Sequence, residues 1–268
     1  MKKSILFPVA AISCACMVWG CKSKNNDNMD LSSSHTTAAA ETMADSVTEA
    51  SKETSAAKPS DPEESTASAA RGAEISKYTN QKVSIEYPVI EESASSNAAA
   101  VNDLLKKNAL SLIQAYGLDE AKDSLSVSCQ VISVSNKRLT AVYKGELSAS
   151  GAPHPTAVYF TNTVDLNKAI DIGLSSYADP YTMAGYVMSE DCQFKGLTPE
   201  QEQAVKEFKS AKSIDDYNQL FKGADFPLKG EGFPESFSYE KQGEIYLSIP
   251  VPHALGDYAV VVFTPDTK

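Results

Sequence analysis

The chain has 268 residues, of which 24 are Lys or Arg and 35 are Asp or Glu, so its formal net charge is −11. This charge excludes a typical nucleic-acid-binding protein, because recognition of phosphates needs a concentrated basic surface. Five cysteines are too few for a disulfide-stabilised scaffold of this length. The three histidines, His35, His154 and His253, lie far apart in the sequence, which argues against a His-rich metal site. We therefore expect no metal ion and no cofactor.

Residues 1–20 have the layout of a secretory signal peptide. A basic start at residues 1–3 precedes an apolar run over residues 5–19, which is too short for a typical membrane span. The run ends in Val-Trp-Gly-Cys at residues 18–21, which resembles the lipobox of bacterial lipoproteins. We therefore predict lipidation at Cys21 and a location in the cell envelope, with the protein lipid-anchored to a bacterial membrane and facing the periplasm or the cell exterior. The alternative is an ordinary cleaved signal peptide, in which Cys21 has no role.

Residues 21–76 are predicted to form a disordered tether. From residue 22 to residue 76, 28 of 55 residues are Ser, Thr or Ala, none is aromatic, and acidic side chains outnumber basic ones by ten to five. Such a segment buries too little apolar surface to offset the entropy lost on ordering. A flexible chain of this length spans roughly 40 Å, which is enough to hold a domain clear of lipid headgroups.

Residues 77–268 are predicted to form an α+β domain. Alternating polar and apolar residues indicate strands over 82–87, 125–134, 139–147 and 156–166, and a change of phase in the second of these indicates a bulge near Ile132. An apolar stripe between Asn97 and Gly117 predicts a helix. Two helix starts follow at Thr198 and Ser213, and three short strands lie over 237–240, 245–249 and 259–263. The expected order is β-α-β-β-β-α-α-β-β-β, with antiparallel sheets and a few packed helices.

The globular part resembles the RsiV-like C-terminal extracytoplasmic domain family, with a PdaC-type accessory domain at its front. The resemblance rests on the strand over 85–90 before the Asn-initiated helix, the Gly-Ala-Pro-His-Pro loop at 151–155, the strand end at 163–168, and the segments 237–239 and 243–246. It divides the domain into a front half over 77–150 and a C-terminal half over 151–268. It implies binding and no catalysis, because RsiV's domain of this type recognises lysozyme and the PdaC domain is an accessory to a separate catalytic domain.

The loop at 151–155 is the first candidate for a partner contact, through Gly151, Pro153, His154 and Pro155. Two prolines stiffen the loop around His154, so little entropy is lost on binding. His154 could contact a partner or act as a general base, or it could only pack and hydrogen-bond locally. No catalytic motif with a recognisable nucleophile and base is present in the sequence, and we predict no catalytic residue.

The other candidate functional residues can also be explained by ordinary structural roles. Asp165 and Asp171 could pair as carboxylates, or each could be a turn acid beside a strand. Cys129 and Cys192 could form a disulfide in an oxidising envelope, although Cys129 also fits as a buried strand residue. Glu190 and Asp191, next to Cys192, make a poor metal-ligand set.

Two functions from different classes follow. The first is a lipid-anchored binding protein whose partner is lysozyme, another envelope protein or a glycan. The second is an enzyme that acts on cell-wall glycan through an acidic site that the sequence does not reveal. The sequence leaves the oligomeric state open.

Overall fold

The domain is an α+β fold with two mostly antiparallel sheets and four α-helices, as expected. The computed structural model describes residues 72–230 and 232–265. The predicted signal peptide, Cys21 and nearly all of the predicted tether lie outside these residues. Among the described residues, no helix combines the length and the apolar character that a membrane span requires.

Fourteen α-helices and strands are found in the described residues. In chain order they are β1 Ala73–Asn80, β2 Val83–Ile90, α1 Ala98–Ala115, β3 Ser124–Val134, β4 Arg138–Ser148, β5 Thr156–Asp165, β6 Ile170–Asp171, α2 Pro180–Met188, β7 Gln193–Lys195, α3 Pro199–Ser210, α4 Ile214–Lys222, β8 Ser238–Lys241, β9 Glu244–Pro250 and β10 Tyr258–Phe263. The first sheet has the strand order β1-β2-β3-β4-β5-β6, and the second has the order β7-β10-β9-β8. The expected order therefore lacked β1, β6, α2 and β7.

The first sheet is covered on one face by α1. Strands β2 and β3 pair in parallel, because α1 provides the crossover between them, and the other neighbours pair antiparallel. A shift of register between Val131 and Ser133 confirms the expected bulge. The apolar stripe of α1 packs on alternate residues of the strands. The fully buried side chains of this core include Ile85, Val101, Leu105, Leu112, Leu125, Leu139, Tyr143 and Phe160.

Two boundaries in the first half differ from expectation. Strand β1 begins at Ala73, so ordered structure starts before residue 77, and all eight of its residues pair with β2. Pro88 does not end β2, since the pairing of β2 with β3 stops at Ile85 and a proline is tolerated where only one neighbour remains. The side chain of Asn97 does not cap α1, although Gly117 has the positive φ of +60° expected after the helix.

The second sheet is covered by α2, α3 and α4. Thr198 and Ser213 each begin a helix with a capping box, as their sequence contexts predict. The core between these helices and the sheet contains Met183, Val187, Cys192, Val205, Tyr217, Phe221, Leu247, Ile249 and Val261. Strands β5 and β6 belong to the first sheet, so the division between the two sheets falls after residue 171 and not at residue 150.

The two sheets also meet through a small third cluster. It contains Val142 from the face of β4 that points away from α1, together with Tyr239 and Tyr246 from β8 and β9. The hydroxyl of Thr161 donates a hydrogen bond of 2.7 Å to the backbone oxygen of Ser238, which links β5 to β8. These contacts bring the turn before β5 close to the turn between β9 and β10.

Candidate functional site

The predicted contact loop joins β4 to β5 and is fully exposed. Gly151, Pro153, His154 and Pro155 all have exposed side chains or backbone. A hydrogen bond of 3.0 Å from Ala152 N to the oxygen of residue 149 closes the turn. Gly151 has a φ of +86°, a conformation that favours glycine, so this residue fixes the direction in which the loop leaves β4.

The structure brings His154 beside His253, which is 99 residues later in the chain. Their rings are stacked with centroids 6.0 Å apart and planes inclined by 24°. His253 begins a 3₁₀ helix, His253–Leu255, which follows the end of β9. The two histidines lie far apart in the sequence, and only the packing of one sheet against the other places them together.

Asp257 connects this pair to the backbone of β5. Its Oδ1 lies 2.9 Å from Nδ1 of His253, and its Oδ2 accepts a hydrogen bond of 2.7 Å from Ala157 N. The backbone oxygen of Asp257 also accepts a hydrogen bond from Val251 N. The carboxylate thus orients the imidazole of His253 and fixes its tautomer when that ring is neutral. In that tautomer Nδ1 carries the proton, and Nε2 is the nitrogen that can accept a hydrogen bond or a proton.

An apolar groove begins one residue before His253. It has a volume of about 430 Å³ and lies between α3, α4 and the end of β9. Its walls are formed by Phe208, Tyr217, Leu220, Pro250, Val251 and Pro252, and Lys212, Asp216 and Glu235 are its charged residues. A cavity of this size, with apolar walls and few polar groups, is typical of ligand-binding sites.

A second cavity continues the groove along α4. It has a volume of about 270 Å³ and shares Leu220 and Glu235 with the first. The two cavities together run from Asp216 to Gly223, a distance of seven helical steps or about 10 Å. We refer to both cavities together as the α4 groove.

Three of the four charged groups in the α4 groove already have partners. Lys229 lines the second cavity, and its Nζ atom donates hydrogen bonds to the backbone oxygens of Lys222 and Ala224. The carboxylate of Asp216 accepts hydrogen bonds from the backbone and the hydroxyl of Ser213, which hold the pKa of Asp216 below its usual value. The Nζ atom of Lys212 lies 5.6 Å from the ring centroid of Phe208, in a cation–π arrangement. Glu235 is exposed and forms no hydrogen bond or ion pair with another described residue.

The structure gives Asp165 and Asp171 separate structural roles. Oδ1 of Asp165 accepts hydrogen bonds from the backbone of Asn167 and the following residue, as a turn acid does. Asp171 accepts hydrogen bonds from the side-chain amides of Asn108 and Asn162, which tie α1 to the edge of the first sheet. Burial raises the pKa of Asp171, and the two amides oppose that rise.

Cys129 and Cys192 are both free thiols in the structure, so the disulfide considered from the sequence is not formed. The two residues belong to different hydrophobic clusters, one in each sheet's core. Burial raises the pKa of Cys129 to about 12 and that of Cys192 to about 11. Among the described residues, no three His, Cys, Asp or Glu side chains converge as a metal site would require.

The comparisons with known proteins give a likeness of fold only. Two solved structures of DUF3298 family proteins, one from Pseudomonas aeruginosa PAO1 and one from Bacteroides fragilis NCTC 9343, resemble this chain with a TM-score of 0.39 and 13% identity. In each case the match covers 72% of this chain and 89% of the other. No family model and no curated protein matches the sequence. These two proteins belong to a domain family of unknown function.

Proposed function

We propose that this chain is a cell-envelope lipoprotein whose folded domain binds a partner protein. The binding surface consists of the loop at 151–155, the stacked His154 and His253, and the adjoining α4 groove. The proposal depends on the contacts of Asp257 beside the exposed loop. Its carboxylate accepts a hydrogen bond from Ala157 N at the start of β5, directly after the loop, and it also contacts His253 Nδ1. A loop that is exposed yet fixed loses little entropy on binding.

The sequence supplies the proposed location. Residues 1–20 would direct export, Cys21 would carry the lipid, and the segment that follows would hold the domain away from the membrane. The net charge of −11 favours a basic partner by long-range attraction, which raises association rates more than affinity. Together with the resemblance to the RsiV-like family, this charge makes lysozyme the first partner to test.

The test compares two histidine variants of the full chain by calorimetry with lysozyme. We expect His154→Ala to weaken binding several-fold, because it removes an exposed ring at the centre of the surface, and to leave the thermal midpoint unchanged. His35→Ala serves as the matched control, since His35 lies far from the surface in sequence, and should bind like the wild type. Measurements at low and physiological salt separate specific contact from charge attraction. Equal affinities for both variants would contradict the proposed surface.

A second candidate function is supported by the hydrogen bond between His253 and Asp257. A carboxylate that orients an imidazole is also the arrangement of a general base, so an enzyme acting on cell-wall glycan is the alternative. Purified full chain should then release soluble fragments from peptidoglycan, and His253→Ala should abolish that release. Peptidoglycan that stays intact with the wild-type chain would exclude this alternative.

A further inference from the structure

The α4 groove has the dimensions of a short extended peptide. Its length of about 10 Å corresponds to three residues of extended chain at about 3.3 Å each. The first cavity is lined mainly by apolar side chains, and the second adjoins it at Leu220 and Glu235 and extends along the helix to Gly223. An extended peptide can place one side chain in each of two adjoining cavities, which a single compact molecule cannot do as well.

The charges of the groove specify which peptide it would take. Asp216 is held by the cap of α4, and Lys212 lies over the Phe208 ring. The ammonium group of Lys229, in the second cavity, donates to the backbone oxygens of Lys222 and Ala224. Glu235 is the carboxylate left to meet a ligand, and it stands where the two cavities join. A basic side chain placed next to an apolar one would therefore meet Glu235 while the apolar side chain fills the first cavity.

We propose that the α4 groove binds an extended segment of a partner protein that carries an apolar side chain and, one or two residues away, a Lys or Arg. This proposal rests on the proposed protein-binding function and names the part of the partner that is recognised. The groove begins at Pro252, directly before His253, so the peptide site and the loop at 151–155 form one continuous surface.

The test uses three labelled hexapeptides with the full chain in fluorescence polarisation. Each peptide has glycines on both sides of a core, and the cores are Phe-Ala-Arg, Phe-Ala-Glu and Ser-Ala-Arg. We expect the Phe-Ala-Arg peptide to bind about three- to tenfold more tightly than the Phe-Ala-Glu peptide, a ratio that fits exposed charge pairs changed from attraction to repulsion. The Ser-Ala-Arg peptide should bind more weakly than both of these peptides, because the first cavity would stay empty.

A charge exchange on the protein makes the test specific. Glu235→Lys should reverse the preference in favour of the Phe-Ala-Glu peptide. Glu207→Lys makes the same change of charge at an exposed position of α3 that lines neither cavity, and it should leave the preference unchanged. A reversal with both variants would show a general effect of net charge and would overturn the proposal.

The outcomes also separate this inference from the proposed function. If lysozyme binding depends on His154 while no peptide distinguishes Glu235→Lys from the wild type, the peptide site is wrong and protein binding stands. If the peptide preference reverses as expected while lysozyme does not bind, the groove is supported and lysozyme is the wrong partner. Absence of saturable binding by the Phe-Ala-Arg peptide would overturn the peptide site directly.

Discussion

Asp225 should make the stability of this domain depend on pH. Its side chain is 3% exposed and lies between α4 and β8. It accepts hydrogen bonds from Leu174 N at 2.8 Å, from Ser238 N at 2.6 Å and from the hydroxyl of Ser238. Burial raises the pKa of Asp225 to about 6, and these hydrogen bonds only partly oppose the rise.

The sign of the effect follows from comparing the folded and unfolded pKa values. The unfolded value is about 3.9, so folding favours the protonated form. The stabilising contribution of protonated Asp225 is complete below about pH 4 and is lost as the pH rises through about 6. The loss amounts to about 3 kcal/mol, which is a large part of the free energy of unfolding of an ordinary domain.

Asp225→Asn isolates this contribution, because an amide does not titrate. Urea unfolding of both proteins at pH 4, 5, 6 and 7, followed by circular dichroism, gives the difference in free energy of unfolding at each pH. The wild type should lose about 2 kcal/mol relative to the variant between pH 4 and pH 7, because at pH 4 about half of the unfolded chains already carry an ionised Asp225. Asparagine also turns an amide donor toward groups that donate to Asp225, which adds a constant that cancels in the pH dependence. A difference that does not change with pH would refute the reasoning.

Three other predictions follow from packing and sequence. Gly145→Ala should destabilise the domain by more than about 2 kcal/mol, because the added Cβ would lie 2.2 Å from a backbone oxygen of β3. Gly185→Ala should stabilise it by about 0.5–1 kcal/mol, because Gly185 lies in α2 and its added Cβ would meet nothing within 4 Å. Chemical denaturation measures both effects. Without reductant, Cys129 and Cys192 should react with iodoacetamide only after unfolding, and labelling that requires a reductant would indicate a disulfide. Labelled palmitate should enter the wild-type chain in bacteria and not Cys21→Ser.

The sequence predicts the long elements correctly because their apolar periodicity persists over several turns or alternations. Helix α1 and strands β3, β4 and β5 were expected close to where they lie, and so was the bulge after Val131. Both capping boxes were also recognised, at Thr198 and Ser213, since a cap depends on residues only three positions apart. Patterns of this kind are local, so a single sequence displays them.

The strands that the sequence does not predict are short or lie at an edge of a sheet. Strand β1 exposes most of its side chains, and only Ala73 is buried, so no alternation marks it. Strand β7 has three residues and β6 has two, which is too short for any periodicity. Helix α2 does carry a local signal, because Asp179 caps it and Pro180 occupies its first position.

The candidate site was predictable in parts and not as a whole. The exposed loop around His154 follows from its prolines and glycine, and the loop is where it was expected. The contact with His253 depends on how the second sheet packs on the first, through Tyr239 and Tyr246, and no local pattern encodes that packing. The same is true of the α4 groove, whose walls come from two helices and the end of a strand.

The position of Asp257 explains why these parts should act together. Its two carboxylate oxygens contact different sheets, with Ala157 of β5 on one side and His253, beyond the end of β9, on the other. A displacement of the loop at 151–155 by a partner would be transmitted to Ala157 and, through its hydrogen bond, to Asp257. That movement would reach His253 and then Pro252, which is a wall of the α4 groove. If the two parts bind one partner, the effects of His154→Ala and Glu235→Lys on its affinity should therefore not be additive, and a double-mutant cycle with that partner measures the coupling.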